Sequence, residues 1–249
     1  MQDVGRADLR FGKWQDVLGD VTCDALIVDA PYSERTHSAH AHGRTGEAVS
    51  AMPNPEKAPK PIPYACWKPS DVDDFVDSWA PRTRGWMVSI TDHGLAPTWS
   101  QAMERHDRYT FSPIAFVAQG SRIRLAGDGP SQWSCWIVVS RPKNAEFHRW
   151  GTLPGAYVLP KGHVDDGSVV IGGKPSWLMK SLVRDYTRPG DLICDPCAGG
   201  GTTLLAALSE GRRAIGAEMD PKHFEIARKR LARGYTPPLF VDGKKDDAA

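Results

Sequence analysis

The chain has 249 residues, 41% hydrophobic and 24% charged, with 31 Lys and Arg against 30 Asp and Glu. That composition excludes a mainly disordered chain, a collagen and a disulfide scaffold, and the length suits one large domain or two small ones. Balanced charge leaves no overall footprint for nucleic acid, so any such partner has to be argued from local residues. No apolar run approaches the ~18 residues of a membrane span, and residues 1–18 lack a signal-peptide core. Five cysteines without an export signal point to reduced thiols and a cytoplasmic protein that keeps away from membranes.

The first clear element is Ala25-Leu26-Ile27-Val28, an apolar run that breaks at Asp29-Ala30-Pro31-Tyr32. A short continuous run predicts a buried parallel strand, with Asp29 and Tyr32 just past its carboxyl end, where ligands collect in open α/β sheets. Residues 33–68 have no hydrophobic period. Six prolines fall between Pro53 and Pro69, and His37, His40 and His42 sit beside Arg35 and Arg44. This reads as a long mobile loop able to meet a phosphate backbone, with its histidines solvated rather than metal-bound.

Order returns at 70–79, a helix capped by Ser70 with Val72, Phe75, Val76 and Trp79 on one face. A strand over 85–90, a helix over 97–105 and two strands over 111–119 and 133–140 follow. The last two read as an antiparallel pair, with Trp133 and Trp136 in the core. Residues 141–173 look irregular and precede a helix over 176–186. Then comes a βαβ signal: strand 192–194, loop 195–201, helix 202–210, strand 214–218, and a helix over 221–233 opened by Pro221. The charged tail, 242–249, reads as solvated.

Asp195-Pro196-Cys197-Ala198-Gly199-Gly200-Gly201-Thr202-Thr203 follows a strand and opens a helix, so its glycines let backbone approach a ligand. The dinucleotide pattern fails at Leu204, and no phosphate-loop lysine is present. Glu218 ends the next strand, where an acid can accept both ribose hydroxyls of a nucleoside. A glycine loop and a strand-end acid without phosphate-binding features suit an adenosyl ligand, S-adenosyl-L-methionine. In Asp29-Ala30-Pro31-Tyr32, a carboxylate beside a carbonyl can accept two hydrogen bonds from an exocyclic amine while the aromatic stacks on a base. Cys194 and Cys197 have redox or zinc spacing, but no second pair stands at ligand spacing, so no metal is expected.

These motifs together resemble the permuted, beta-class amino-DNA methyltransferases, which act on adenine N6 or cytosine N4. In that family an Asp/Ser-Pro-Pro-Tyr tetrapeptide precedes the cofactor loop, with a target-recognition segment between them. Leu26–Tyr32 resembles the first, Asp191–Thr203 the second, and Arg212–Glu218 the second cofactor strand. Gly173-Lys174-Pro175 resembles the Lys-Pro element that walls the cofactor pocket. Three positions depart from the pattern: Ala30 for proline, Cys197 for phenylalanine, and Gly12-Lys13 for Gly-Asp.

The resemblance implies a Rossmann-like, circularly permuted methyltransferase sheet in one domain, 1–249. Within it, 33–68 is the loop after the tetrapeptide, 141–173 a short target-recognition segment and 174–233 the cofactor-binding part. It implies catalysis by Asp29, Ala30, Pro31 and Tyr32 on a flipped base of double-stranded DNA, adenine preferred, in a restriction-modification setting. Cofactor contacts would come from Asp29, Lys174, Pro175, Asp195, Pro196, Cys197, Ala198, Gly199, Gly201, Thr202, Thr203, Glu218 and Met219. Base or phosphate contacts would come from Arg141, Lys143, Asn144, His148, Arg149, Lys161 and His163, few enough for a short or degenerate site unless the 33–68 loop or the second subunit of a homodimer adds more. The alternatives are a cytosine-N4 DNA methyltransferase, an RNA N-methyltransferase and a non-catalytic DNA-binding relative.

Overall fold

The computed structural model describes residues 7–36, 65–120, 133–144, 146–147, 150–163, 169–170 and 172–233. His37, His40, His42, His148, Arg149 and the tail 242–249 therefore lie outside the described residues, as does most of the loop 33–68.

The elements, in chain order, are β1 (Ala7–Phe11), α1 (Trp14–Val17), β2 (Ala25–Asp29), α2 (Pro69–Trp79), β3 (Met87–Thr91), α3 (Ala96–Arg105), β4 (Arg108–Thr110), β5 (Ile114–Ala118), β6 (Ser134–Pro142), β7 (Ala156–Leu159), α4 (Ser176–Tyr186), β8 (Leu192–Asp195), α5 (Thr202–Ser209), β9 (Arg213–Glu218) and α6 (Pro221–Arg233). The strands form one sheet in the order β1-β9-β8-β2-β3-β6-β5-β7, with β4 also paired to β6. From β1 to β3 every pairing is parallel. β6 runs antiparallel to β3 and β5, and β7 lies parallel to β5.

The central strand shows why the apolar runs are continuous. Leu26 and Val28 point into one core with Phe75, Val76, Trp79, Trp99 and Met103 from α2 and α3. Ile27 points into the opposite core, with Leu178, Met179 and Leu182 of α4 and Leu204 of α5. Both faces of β2 are thus covered by helices, as a parallel sheet requires.

The structure corrects several expectations. β1, β4 and β7 were not anticipated: each is short, and β7 buries only Tyr157 fully within a Gly- and Pro-rich stretch. Residues 141–173 are therefore not wholly irregular. The helix expected over 70–79 is α2 and begins at Pro69, with Lys68 rather than Ser70 at the N-cap and the Asp71 carboxylate accepting from Lys68 N at 2.7 Å. Trp133 is not core but 44% exposed, while Trp136 is half-buried against one core. The antiparallel pairing of β5 with β6 and both helices around the βαβ unit lie where the sequence put them.

Candidate active site

Chain direction across the sheet reverses at β2: the connection through α2 leads to β3 on one side, while β8 and β9 lie on the other. Such a switch point leaves a crevice beyond the carboxyl ends of the strands. A cavity of about 590 Å³ occupies it. Asp29 ends β2, Asp195 ends β8 and Glu218 ends β9, so three acids from adjacent strands meet on its wall. Of the residues anticipated from sequence, Asp29, Pro31, Lys174, Asp195–Gly199, Thr202, Thr203, Glu218 and Met219 line it.

Ala30, Tyr32, Pro175 and Gly201 do not. Ala30 is buried, Pro175 is the N-cap of α4, and Gly201 is the N-cap of α5. Tyr32 instead lines a second cavity of about 300 Å³, with Arg35, Asp92, His93, Ser134, Cys135 and Trp136. Sequence reasoning missed Trp67, Asp71 and Asp74, which reach the larger cavity from the start of α2. The one available signal was the return of order after the prolines.

The glycine loop is built by its dihedral angles. Gly199 and Gly201 adopt φ of 52° and 78°, a left-handed region that side chains rarely enter. A Cβ on Gly201 would also stand 3.0 Å from Ala227 Cβ, because α6 packs directly on the loop. Glu218 locks this loop to its own strand: Gly199 N donates to Oε2 and Asp220 N to Oε1, each at 2.7 Å. The carboxylate keeps further lone pairs for a ligand. Arg230 of α6 closes the back of the loop, donating to the Gly200 carbonyl and to Thr202 Oγ1.

Asp195 is 2% exposed, and its Oδ1 accepts from Cys197 N at 3.0 Å. Burial pushes its carboxyl up to about 7; Thr203 and the Cys197 amide pull it down, and the charges of Asp29 and Glu218 push it up again. Burial likewise raises the Cys194 and Cys197 thiols, so neither is a ready nucleophile. Among the described residues no group of three His, Cys, Asp or Glu is placed to hold a metal ion.

The turn after Asp29 is pinned from two sides. Trp67 N donates to the Tyr32 carbonyl at 3.0 Å. Asp92, just past β3, accepts from Ser33 N at 2.9 Å, from Ser33 Oγ at 2.5 Å and from Thr36 Oγ1. Its other oxygen accepts from Gly94 N and Leu95 N at the head of α3. Burial pushes the Asp92 carboxyl up, but these donors outweigh it and hold it below the usual range. Lys174 Nζ lies 2.7 Å from Asp29 Oδ1 and 2.8 Å from Oδ2, and 4.8 Å from the centre of the Tyr32 ring.

The segment 141–173 divides between the two ends of the sheet. Met87 pairs with Ser140 and Thr91 with Trp136, so Arg141 and Lys143 lie beyond the amino end of β3, away from the acids. Arg141 stacks over Tyr109, and Lys143 pairs with Asp107 at 2.6 Å. β7 then runs back up the sheet, Leu159 beside Ala118, and delivers Lys161 and His163 to the end that carries the acids.

The cavity's chemistry fits an adenosyl amino acid. Its acids, with Asp71, Asp74 and Asp220 added, outnumber Lys13 and Lys174, which favours a ligand bearing ammonium and sulfonium charge. Its volume lies within the roughly 300–1,000 Å³ of small-molecule sites. The loop packs closely against its neighbours at Gly200, where a Cβ would meet Val169 Cγ2 at 2.8 Å.

Comparison with known proteins bears on the same residues. Residues 159–229 match the family described as DNA methylase, N6/N4 type. The type II methyltransferase M2.DpnII of Streptococcus pneumoniae is 43% identical over 58 residues, 23% of this chain and 22% of that protein. The DNA adenine methyltransferase YhdJ of Escherichia coli is 36% identical over 74 residues, 29% of this chain and 25% of that protein. The aligned part thus spans about a quarter of either relative. In structure the chain resembles M1.HpyAVI, solved as a complex with S-adenosylmethionine: TM-score 0.64, 18% identity, 91% of this chain and 99% of that one. The segment 159–229, which carries Lys174, Asp195, the glycine loop and Glu218, is similar to the N6/N4 DNA methylase family, and the fold as a whole is similar to that of M1.HpyAVI.

Proposed function

We propose that the protein transfers a methyl group from S-adenosyl-L-methionine to the exocyclic amine of a base flipped out of double-stranded DNA, with adenine N6 as the preferred acceptor. The observation that carries this reading is the meeting of Asp29 with Asp195 and Glu218 on one cavity wall: an amine-facing acid stands beside a pocket for a cationic nucleoside. The cofactor, when bound, supplies a methyl group activated by its sulfonium.

This chain's residues do the rest. Glu218 and the Gly199–Gly201 backbone hold the ribose and amino-acid parts, with Asp195 beneath them. An exocyclic amine is a weak nucleophile because its lone pair is conjugated with the ring. The Asp29 carboxylate and the Ala30 carbonyl accept its two N–H bonds and turn the lone pair toward the methyl group. Tyr32 and the second cavity, lined by His93 and Trp136, receive the base, since the amine is unreachable inside the stack. An aspartate at the first tetrapeptide position supports adenine over cytosine.

The test is radiolabelled methyl transfer to duplex DNA, followed by nucleoside analysis for N6-methyladenine and N4-methylcytosine. Asp29→Ala should lose turnover by ~10²-fold or more while cofactor affinity stays near that of the wild type. Wild-type turnover in that variant would remove Asp29 from the chemistry. Label appearing in RNA alone would redirect the substrate.

A further inference from the structure

Asp29 shares its cavity with five other acids, Asp71, Asp74, Asp195, Glu218 and Asp220. Asp195 and Cys197 face it from β8 and its loop, Glu218, Asp220 and His223 from β9 and the start of α6, Asp71 and Asp74 from α2, and Lys13 from the turn before α1. Asp92 stands just past the end of the neighbouring strand, β3. Clustered carboxylates suppress one another's ionisation. A protonated Asp29 would present a donor on one oxygen and lose acceptor capacity toward an amine that itself offers only N–H bonds.

One cation meets this problem directly. The Lys174 ammonium contacts both Asp29 oxygens, at 2.7 and 2.8 Å, and also donates to the Gly172 carbonyl at 3.1 Å, which anchors it independently of the acid. The Lys174 side chain is 11% exposed and that of Asp29 23%, so solvent screens the pair little. The same ammonium stands over the Tyr32 ring, tying acid and aromatic into one unit.

We propose that Lys174 is a positioning residue for Asp29: its ammonium keeps the carboxylate ionised and oriented as an acceptor for the target amine, rather than serving only as a wall of the cofactor pocket. The inference rests on the proposed methyl transfer for its catalytic consequence but not for the ion pair itself.

The experiment compares the full-length wild type, Lys174→Met and Lys174→Arg by kcat against pH, by cofactor affinity, and by carboxyl carbon-13 NMR of Asp29, assigned through Asp29→Asn. Lys174→Met should lower kcat by about tenfold or more near neutral pH, with the deficit shrinking as pH rises to about 9, because alkali ionises Asp29 without help. Cofactor affinity should change by less than about threefold, Lys174→Arg should restore most of kcat, and the Asp29 resonance should titrate at higher pH in Lys174→Met than in the wild type. A loss of kcat equal at every pH, a loss confined to cofactor affinity, or an unmoved Asp29 resonance would overturn the proposal. If the wild type transfers no methyl group to DNA, the proposed function fails instead. The NMR titration then decides Lys174 alone: a moved resonance supports its hold on Asp29 and an unmoved one overturns it.

Discussion

Asp195 shows how one buried side chain couples stability, pH and ligand binding. Its native carboxyl titrates near about 7, whereas an unfolded aspartate titrates near ~3.9. Between those values the native state keeps a proton that the unfolded chain has released, so stability falls as pH rises through this window and levels off above it. Asp195→Asn removes that slope. Its melting temperature, without cofactor, should exceed that of the wild type at pH 8, with the gap closing toward pH 4, as thermal scans at several pH values would show. A cationic ligand favours the ionised acid, so wild-type affinity for S-adenosylmethionine should strengthen as pH rises through 7, by at most about tenfold per unit. The asparagine variant should bind more weakly and without that dependence. Titration calorimetry that finds wild-type affinity flat across pH 6–8 would mean that Asp195 does not change charge on binding.

The turn from β2 into residues 33–36 has few regular contacts of its own, and Asp92 supplies them. Its carboxylate ties Ser33 and Thr36 to the head of α3, so the tetrapeptide is fixed by the junction between β3 and α3. Asp92→Ala leaves those donors unanswered in a buried place. We expect a stability loss of about 2 kcal/mol or more and a drop in kcat larger than the change in cofactor affinity, since the glycine loop lies on other strands. Asp92→Asn, which keeps one acceptor oxygen, should fall between. A variant with lowered melting temperature but unchanged kcat would make the tether purely structural. At this scale the chain was only half legible. β2, α4, α5 and β9 were readable because each buries an apolar face, and α6, which buries only Ala227, was readable from Pro221 at its start. β1, β4 and β7 were not, because each owes its existence to pairing with a longer neighbour rather than to its own pattern.

Across the whole molecule the sheet separates two ends, and this decides which basic residues can meet DNA at the site. Lys143, paired with Asp107, lies at the amino ends of the parallel strands, while Lys161 follows β7 at the carboxyl ends, where the acids are. If DNA docks over the acids, Lys161→Ala should weaken duplex binding and reduce the salt slope by about one. Lys143→Ala should change neither, as fluorescence anisotropy over a salt series would show. The reverse result would place DNA on the other end of the sheet. What the sequence determined by itself is local: a strand stopped by Asp29-Ala30-Pro31, a glycine loop opening a helix, and an acid closing the next strand. Each is set by backbone geometry within a few residues, so each can be read from neighbours in the chain. The pairing of Lys174 with Asp29, the Asp92 tether and the division of 141–173 between opposite ends join residues far apart in sequence. Only the strand order and the antiparallel course of β6 bring them together or hold them apart, because no local pattern records which strands will be neighbours.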